Sequence, residues 1–146
     1  MKKSIRFLDA NMLRALACAL MLCDHMWATI VPGNEWMTWL GRLAFPIFAF
    51  QIAEGFFHTS NFRNYAVRLL IFGLVSEIPF DLAVYNTWFY PGYQNVLFTL
   101  LIGIVVMEGL ELLDNLFLQI VVIAGGCGLA WVIKSDYSVL GVLLIA

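Results

Sequence analysis

ANMLRALACALMLCDHMWATIV, residues 10–31, decides the fold class. It is as long as a membrane span needs to be, about 20 predominantly apolar residues for a hydrocarbon core of roughly 30 Å. Working outward, comparable apolar blocks occupy residues 37–57, 65–85, 94–113 and 116–133, and a sixth run starts at Tyr137 and stops at Ala146. The 146 residues are 62% hydrophobic and 12% charged, and the mean hydropathy is +0.88. A water-soluble fold of this length cannot bury that much apolar sequence. The expected fold is therefore all-α, a polytopic transmembrane helix bundle with five full spans plus the start of a sixth. The chain is expected to be a single transmembrane domain, residues 1–146, and the N-terminal part of a longer membrane protein.

Charge and cysteine usage exclude other classes. The formal net charge is −2 and the Lys and Arg are scattered, so no basic surface exists for a nucleic-acid partner. Cys18, Cys23 and Cys127 fall inside apolar blocks without metal-ligand or redox spacing and are read as small core hydrophobes; no metal is expected. Lys2, Lys3 and Arg6 before an apolar run resemble a secretory signal, but that run contains Arg14, Asp24 and His25 and no small-residue cleavage site follows. It is read as an uncleaved first span.

Short segments join the blocks. Pro32, Gly33 and Asn34 mark one turn, Thr59, Ser60 and Asn61 a second, and residues 86–93, with Pro91 and Gly92, a third. Lys2, Lys3, Arg6, Arg63 and Arg68 flank one side, whereas the connections on the other hold only Lys134, with Arg42 just inside the second span. The side rich in Lys and Arg is the cytoplasmic one, which places the N-terminus in the cytoplasm. Trp36, Trp39, Tyr85, Trp88, Tyr90, Tyr93, Trp131 and Tyr137 then belong to the opposite interface.

Ionisable residues inside spans are the candidates for function, because each costs about 2.5–3.5 kcal/mol or more at the bilayer centre unless it faces a partner or a wet cavity. Arg14, Glu54 and Arg68 share an inner layer near the cytoplasmic ends of the first three spans. Asp24 and His25 lie roughly 15 Å further out along the first helix. Arg42, Glu77 and Asp81 reach a comparable depth on the other two, forming an outer layer. Arg14 and His25 are eleven residues apart, which returns to within about 20° of one helix face. Asp24 points about 100° away from its neighbour, so Glu77 or Asp81 is expected to orient the His25 ring. Pro46 and Pro79 fall inside spans, where each removes a backbone hydrogen bond. Glu108, Glu111 and Asp114 are read as a solvated helix end, and His58 as interfacial.

Four stretches resemble the TraX family: LRALACALMLCDH (13–25), GRLAFPIFAFQIAEGFFHTSN (41–61), RLLIFGLVSEIPFDL (68–82) and NVLFTL (95–100). The sequence also has the pattern of the wider membrane acyltransferases that modify cell-surface sugars, a basic residue, ten residues, then histidine. TraX-like proteins tend to carry Lys where Arg14 stands. The family's named member acetylates the N-terminus of a conjugative pilin subunit, and the resemblance implies a membrane acyltransferase in a bacterial inner membrane. The implied donor is a cytoplasmic acyl-CoA, most simply acetyl-CoA, and the implied acceptor an amine or hydroxyl on a pilin-like peptide or cell-surface glycan, beside membrane lipid. His25 would carry the chemistry as general base or acyl relay, with Asp24, Glu77 and Asp81 around it. Arg14 and Arg68, with Glu54 as a partner, would hold CoA phosphates, and Arg42 would stabilise oxyanion charge. Two other classes use the same residues: a proton-coupled transporter or channel subunit, expected to show solute flux without acyl-CoA, and a silent membrane scaffold, expected to tolerate His25→Ala.

Overall fold

The computed structural model describes residues 9–30 and 33–146. Lys2, Lys3 and Arg6, on which the expected orientation partly rests, and Pro32 of the first turn lie outside the described residues. Seven helices follow one another among the described residues: α1 (Ala10–Thr29), α2 (Glu35–Gly41), α3 (Ala44–His58), α4 (Phe62–Tyr85), α5 (Val96–Leu112), α6 (Leu116–Val132) and α7 (Ser138–Ile145). Among the described residues, extended pairing is confined to one bridge, Gln94 with Ser135. The all-α expectation holds.

Short polar side chains set the helix starts. Asp9 accepts a hydrogen bond from the Met12 amide at 2.8 Å, and Asn61 one from the Asn64 amide at 3.0 Å. Asn95 accepts from the Leu97 amide at 2.9 Å, and Asn115 from the Phe117 and Leu118 amides at 2.9 and 3.2 Å. Each satisfies N–H groups that the first turn leaves unpaired. The expected second span is broken, because residues 42–43 form a turn between α2 and α3. Pro46 then falls in the first turn of α3, where its missing N–H costs no intrahelical bond. Pro79 lies well inside α4 and leaves the Val75 carbonyl without its usual donor.

Among the described residues one helical stretch, Glu35–His58 across that turn, is by length and composition long and apolar enough to cross a membrane. The other expected spans are helical but fall short for two reasons. Arg14, Asp24 and His25 lower the hydropathy of α1, and Arg63, Arg68, Glu77 and Asp81 are spread along α4 so that no membrane-length stretch is clear of them. The helices α5 and α6 have 17 residues each, about 25 Å of rise against a core of roughly 30 Å.

The chain divides into two compact units, Met1–Gln51 and Ile52–Ala146, with the division inside α3. In the first, α1 packs on α2, and the Gln51 amide reaches the Ala10 carbonyl at 3.4 Å. The α1–α2 crossing is close: a Cβ at Gly41 would lie 2.4 Å from the Asp24 Cβ and 2.9 Å from its Cα. In the second unit, α5 packs against α4, α6 and α7. Its core gathers Ile102, Val106, Ala130 and Val142, with Cys127 against them as a small hydrophobe. A Cβ at Gly126 would meet Val106 Cγ2 at 2.3 Å, so glycine sets the α5–α6 spacing there.

Candidate functional site

In the second unit, Glu77 and Asp81 stand one turn apart on one face of α4, 7% and 0% exposed. Burial of this kind requires hydrogen bonds. Glu77 Oε2 accepts from the Asn95 backbone amide at 3.3 Å and from Asn95 Nδ2. Asn95 Nδ2 also donates to the Gly73 carbonyl at 2.9 Å, while its Oδ1 caps α5. One asparagine thus ties the middle of α4 to the start of α5. Asp81 Oδ2 accepts from the Tyr90 amide at 2.7 Å, and the Asp81 carbonyl accepts from Asn86, whose left-handed backbone ends α4. Tyr85 and Tyr90 stack at 4.1 Å over this return of the chain. Glu77 Oε1 and Asp81 Oδ1 are buried without a hydrogen-bond partner among the described residues.

The connection these acids hold is tied in turn to the α6–α7 turn. Tyr93 Oη donates to Asp136 Oδ1 at 2.8 Å, and the Gln94 amide reaches the Lys134 carbonyl at 3.2 Å. Buried Thr99 meets Ser135 Oγ at 2.9 Å and the Asp136 carbonyl. Arg68, also on α4, and Glu54, on α3, are exposed. His58 Nδ1 lies 2.8 Å from the Glu54 carbonyl.

In the first unit, α1 carries Arg14, exposed, and Asp24 and His25, both half-buried. The Thr29 hydroxyl donates to the His25 carbonyl at 2.6 Å. Asp24 lies at the close crossing with Gly41, so the crossing fixes the turn of α1 that presents His25. Beyond it, a cleft of about 380 Å³ is lined by Trp27 of α1 and by Glu35, Thr38, Trp39 and Arg42. Trp27 Nε1 and Thr38 Oγ1 are buried there without a partner among the described residues.

The candidates thus fall into two groups: Arg14, Asp24, His25 and Arg42 belong to the first unit, and Glu54, Arg68, Glu77 and Asp81 to the second. Within the second unit, Glu77 and Asp81 share one face of α4, and both anchor the 86–95 connection. Sequence reading missed Asn95 as the partner of Glu77, although an Asn directly before an apolar helical run signals a cap. It also missed Trp27, Glu35 and Thr38 as cleft walls. Positions 35, 38, 39 and 42 recur at i, i+3, i+4 and i+7, the spacing of one helix face.

The TraX protein family matches over residues 9–146. The probable fimbrial assembly protein FimC, serogroup H1, of Dichelobacter nodosus is 31% identical over 118 residues, covering 73% of this chain and 48% of that protein. The chain therefore spans about half the length of this curated relative. No solved structure matches. With the family match running through α1 to α7, this chain belongs to the TraX family.

Proposed function

We propose that the protein is a membrane-embedded acyltransferase that moves an acyl group, most simply acetyl, from cytoplasmic acyl-CoA to an amine or hydroxyl on a pilin-like or cell-surface acceptor. The observation that carries this reading is α1 itself. It is an unbroken helix with Arg14 and His25 on one face, three turns apart, within the region matched to the TraX family. The relative's role in fimbrial assembly is compatible with a pilin-like acceptor. In this reading the helices form a multi-pass bundle in a bacterial inner membrane with the N-terminus cytoplasmic.

Arg14 and Arg68 hold phosphates of the donor, since guanidinium groups bind such oxyanions in paired hydrogen bonds; both side chains are exposed and free of burial cost. Glu54 partners one of them. His25 accepts the proton of the acceptor amine or hydroxyl as its lone pair attacks the thioester carbonyl. The carbon–sulfur bond breaks, the CoA thiolate leaves, and the proton on His25 goes to it, returning the imidazole to neutrality. Asp24 acts through the α1–α2 crossing, which positions the turn of α1 that bears His25. Incubation of the purified protein with labelled acetyl-CoA and membrane extract tests this directly. Transfer of label to a peptide or glycan is the expected result, and Arg14→Gln and Arg68→Gln are expected to weaken CoA binding more than they slow transfer from bound donor. No transfer, or unchanged CoA affinity in both variants, would sink the assignment.

A transporter reading draws on one specific observation, the buried acids Glu77 and Asp81, each with an oxygen that has no hydrogen-bond partner among the described residues. Intramembrane carboxylates of this kind serve proton relays. Proton-driven solute flux in liposomes without acyl-CoA would favour it.

A further inference from the structure

The cleft of the first unit has an ordered charge layout that acyl transfer does not use. Glu35, Thr38, Trp39 and Arg42 line it from one face of α2, and Arg42, the C-cap, keeps helical backbone angles. Glu35 and Arg42 are thus about 10 Å apart along the axis, an anion at one end and a cation at the other. Trp39 and Thr38 lie between them, and Trp27 of α1 forms the facing wall. An acid in the first turn and a base at the end would suit the helix dipole alone. That explanation leaves the two indoles unaccounted for, along with Trp27 Nε1 and Thr38 Oγ1, buried without a partner among the described residues.

We propose that this cleft binds a zwitterionic phosphoethanolamine group, the headgroup of a membrane lipid, with its ammonium at Glu35 against the indole faces and its phosphodiester at Arg42. The lining is charge-balanced, one carboxylate against one guanidinium, so it selects a dipolar ligand over a net anion or cation. Indole faces attract an ammonium through their quadrupole, and a guanidinium forms paired hydrogen bonds with phosphate oxygens. The volume, about 380 Å³, lies at the small end of ligand pockets and suits a headgroup without its acyl chains. The surroundings identify the source as lipid. Trp36 and Trp39 are 59% and 76% exposed, and Leu40 and Leu43 are exposed beside them, the amphipathic and apolar surface that sits at headgroup level in a bilayer. Arg42 then holds a phosphate, and the oxyanion role expected from the sequence is not its own.

The test is intrinsic tryptophan fluorescence of the purified protein in nanodiscs, with no acyl donor added, so its outcome is independent of acyl transfer. In phosphatidylglycerol nanodiscs, soluble glycerophosphoethanolamine is expected to cause a saturable change, and glycerophosphoglycerol, which lacks the ammonium, to bind at least tenfold more weakly. Glu35→Gln should remove that preference, and Arg42→Gln should weaken both ligands about tenfold. In phosphatidylethanolamine nanodiscs the soluble headgroup should bind at least fivefold more weakly, because the lipid already competes for the cleft. Equal affinity for the two headgroups in the unsubstituted protein overturns the proposal even if the variants fail to fold. Equal affinity in the two nanodiscs overturns the lipid as occupant.

Discussion

In the second unit, Glu77 and Asp81 each commit one carboxylate oxygen to the backbone or side chain of the 86–95 segment, and Asn95 and Thr99 are buried and hydrogen-bonded beside them. In the first unit, Glu35 and Arg42 stand exposed around a cleft. Its half-buried Trp27 and Thr38 have polar atoms without partners among the described residues. Glu77, Asp81 and Asn95 tie the 86–95 connection to α4, whereas Glu35, Thr38 and Arg42 line a cleft. On the proposed function, ligand chemistry concentrates in α1 and α2, with Arg68 as the contribution of α4, and substitutions in the two units should separate accordingly.

The largest expected effect is on activity. His25 is half-buried on α1 and lies outside the cluster of Ile102, Val106, Ala130 and Val142. Replacing it with Ala is expected to lower acyl transfer by about 10²-fold or more, the usual size of a general acid–base contribution, with expression and thermal stability close to the parent. Transfer at the parental rate would leave the transporter or scaffold reading in its place. A lost fold instead would mean that the first unit, too, is held by its polar residues.

Next is the α1–α2 crossing. Gly41→Ala brings a methyl group within 2.4–3.0 Å of the Cβ, Cα and amide nitrogen of Asp24. Backbone atoms cannot rotate aside, so the helices must separate, at a cost of about 3 kcal/mol by analogy with overpacked cores. Thermal unfolding in detergent would show it as a lowered midpoint. Because the crossing positions the turn bearing His25, acyl transfer should fall as well. A variant with parental stability and parental activity would show that the close approach is not needed.

In the second unit the corresponding test is Asn95→Ala. It removes the side-chain donor to Glu77 and Gly73 and the cap of α5 together. Glu77 Oε2 keeps the Asn95 backbone amide, so the loss is that of a hydrogen bond to a charged group, about 1.5–3 kcal/mol, and of a cap, about 1 kcal/mol. The two overlap in one side chain, so a loss of about 2–3 kcal/mol is expected, with CoA affinity unaffected. Reduced affinity without reduced stability would contradict the division of labour between the units.

The sequence made the helices legible because apolar blocks and their Asn or Asp caps are local signals. The block boundaries at 65–85, 94–113 and 116–133 lie within a few residues of α4, α5 and α6. The turn at residues 42–43 was not legible, since Pro46 reads equally as a kink within one helix or as the first turn of a new one. Among the candidate residues, Glu77 and Asp81 stand out in the sequence as charges inside an apolar block. Their anchoring role does not, because it depends on a loop whose return over α4 no periodicity encodes. The cleft was half visible: Arg42 and Trp39 stood out singly, but their shared face with Glu35 and Thr38 mattered only once Trp27 was seen opposite. The number of spans rests on helix length as well as composition, and α5 and α6, with 17 residues each, fall short of a membrane-length helix.

The smallest expected effect sharpens the comparison within a single helix. Gly125 and Gly126 are neighbours in α6, yet a Cβ at Gly126 meets Val106 Cγ2 at 2.3 Å, whereas one at Gly125 meets nothing within 4 Å. Gly125→Ala should therefore stabilise, because Ala loses less conformational freedom than Gly in a helix interior, by about 0.5–1 kcal/mol. Gly126→Ala should have the opposite sign, since Val106 is β-branched and its methyl can move away only by leaving a preferred rotamer. Both variants keep the hydropathy of α6 nearly unchanged, so a difference in their unfolding midpoints reads packing on α5 directly. Two stabilised variants would mean that α5 and α6 do not approach as closely as the glycine requires. Destabilisation by Gly125→Ala would show that the open face of α6 is covered by something in the assembled protein, and the second unit would then have a partner surface of its own.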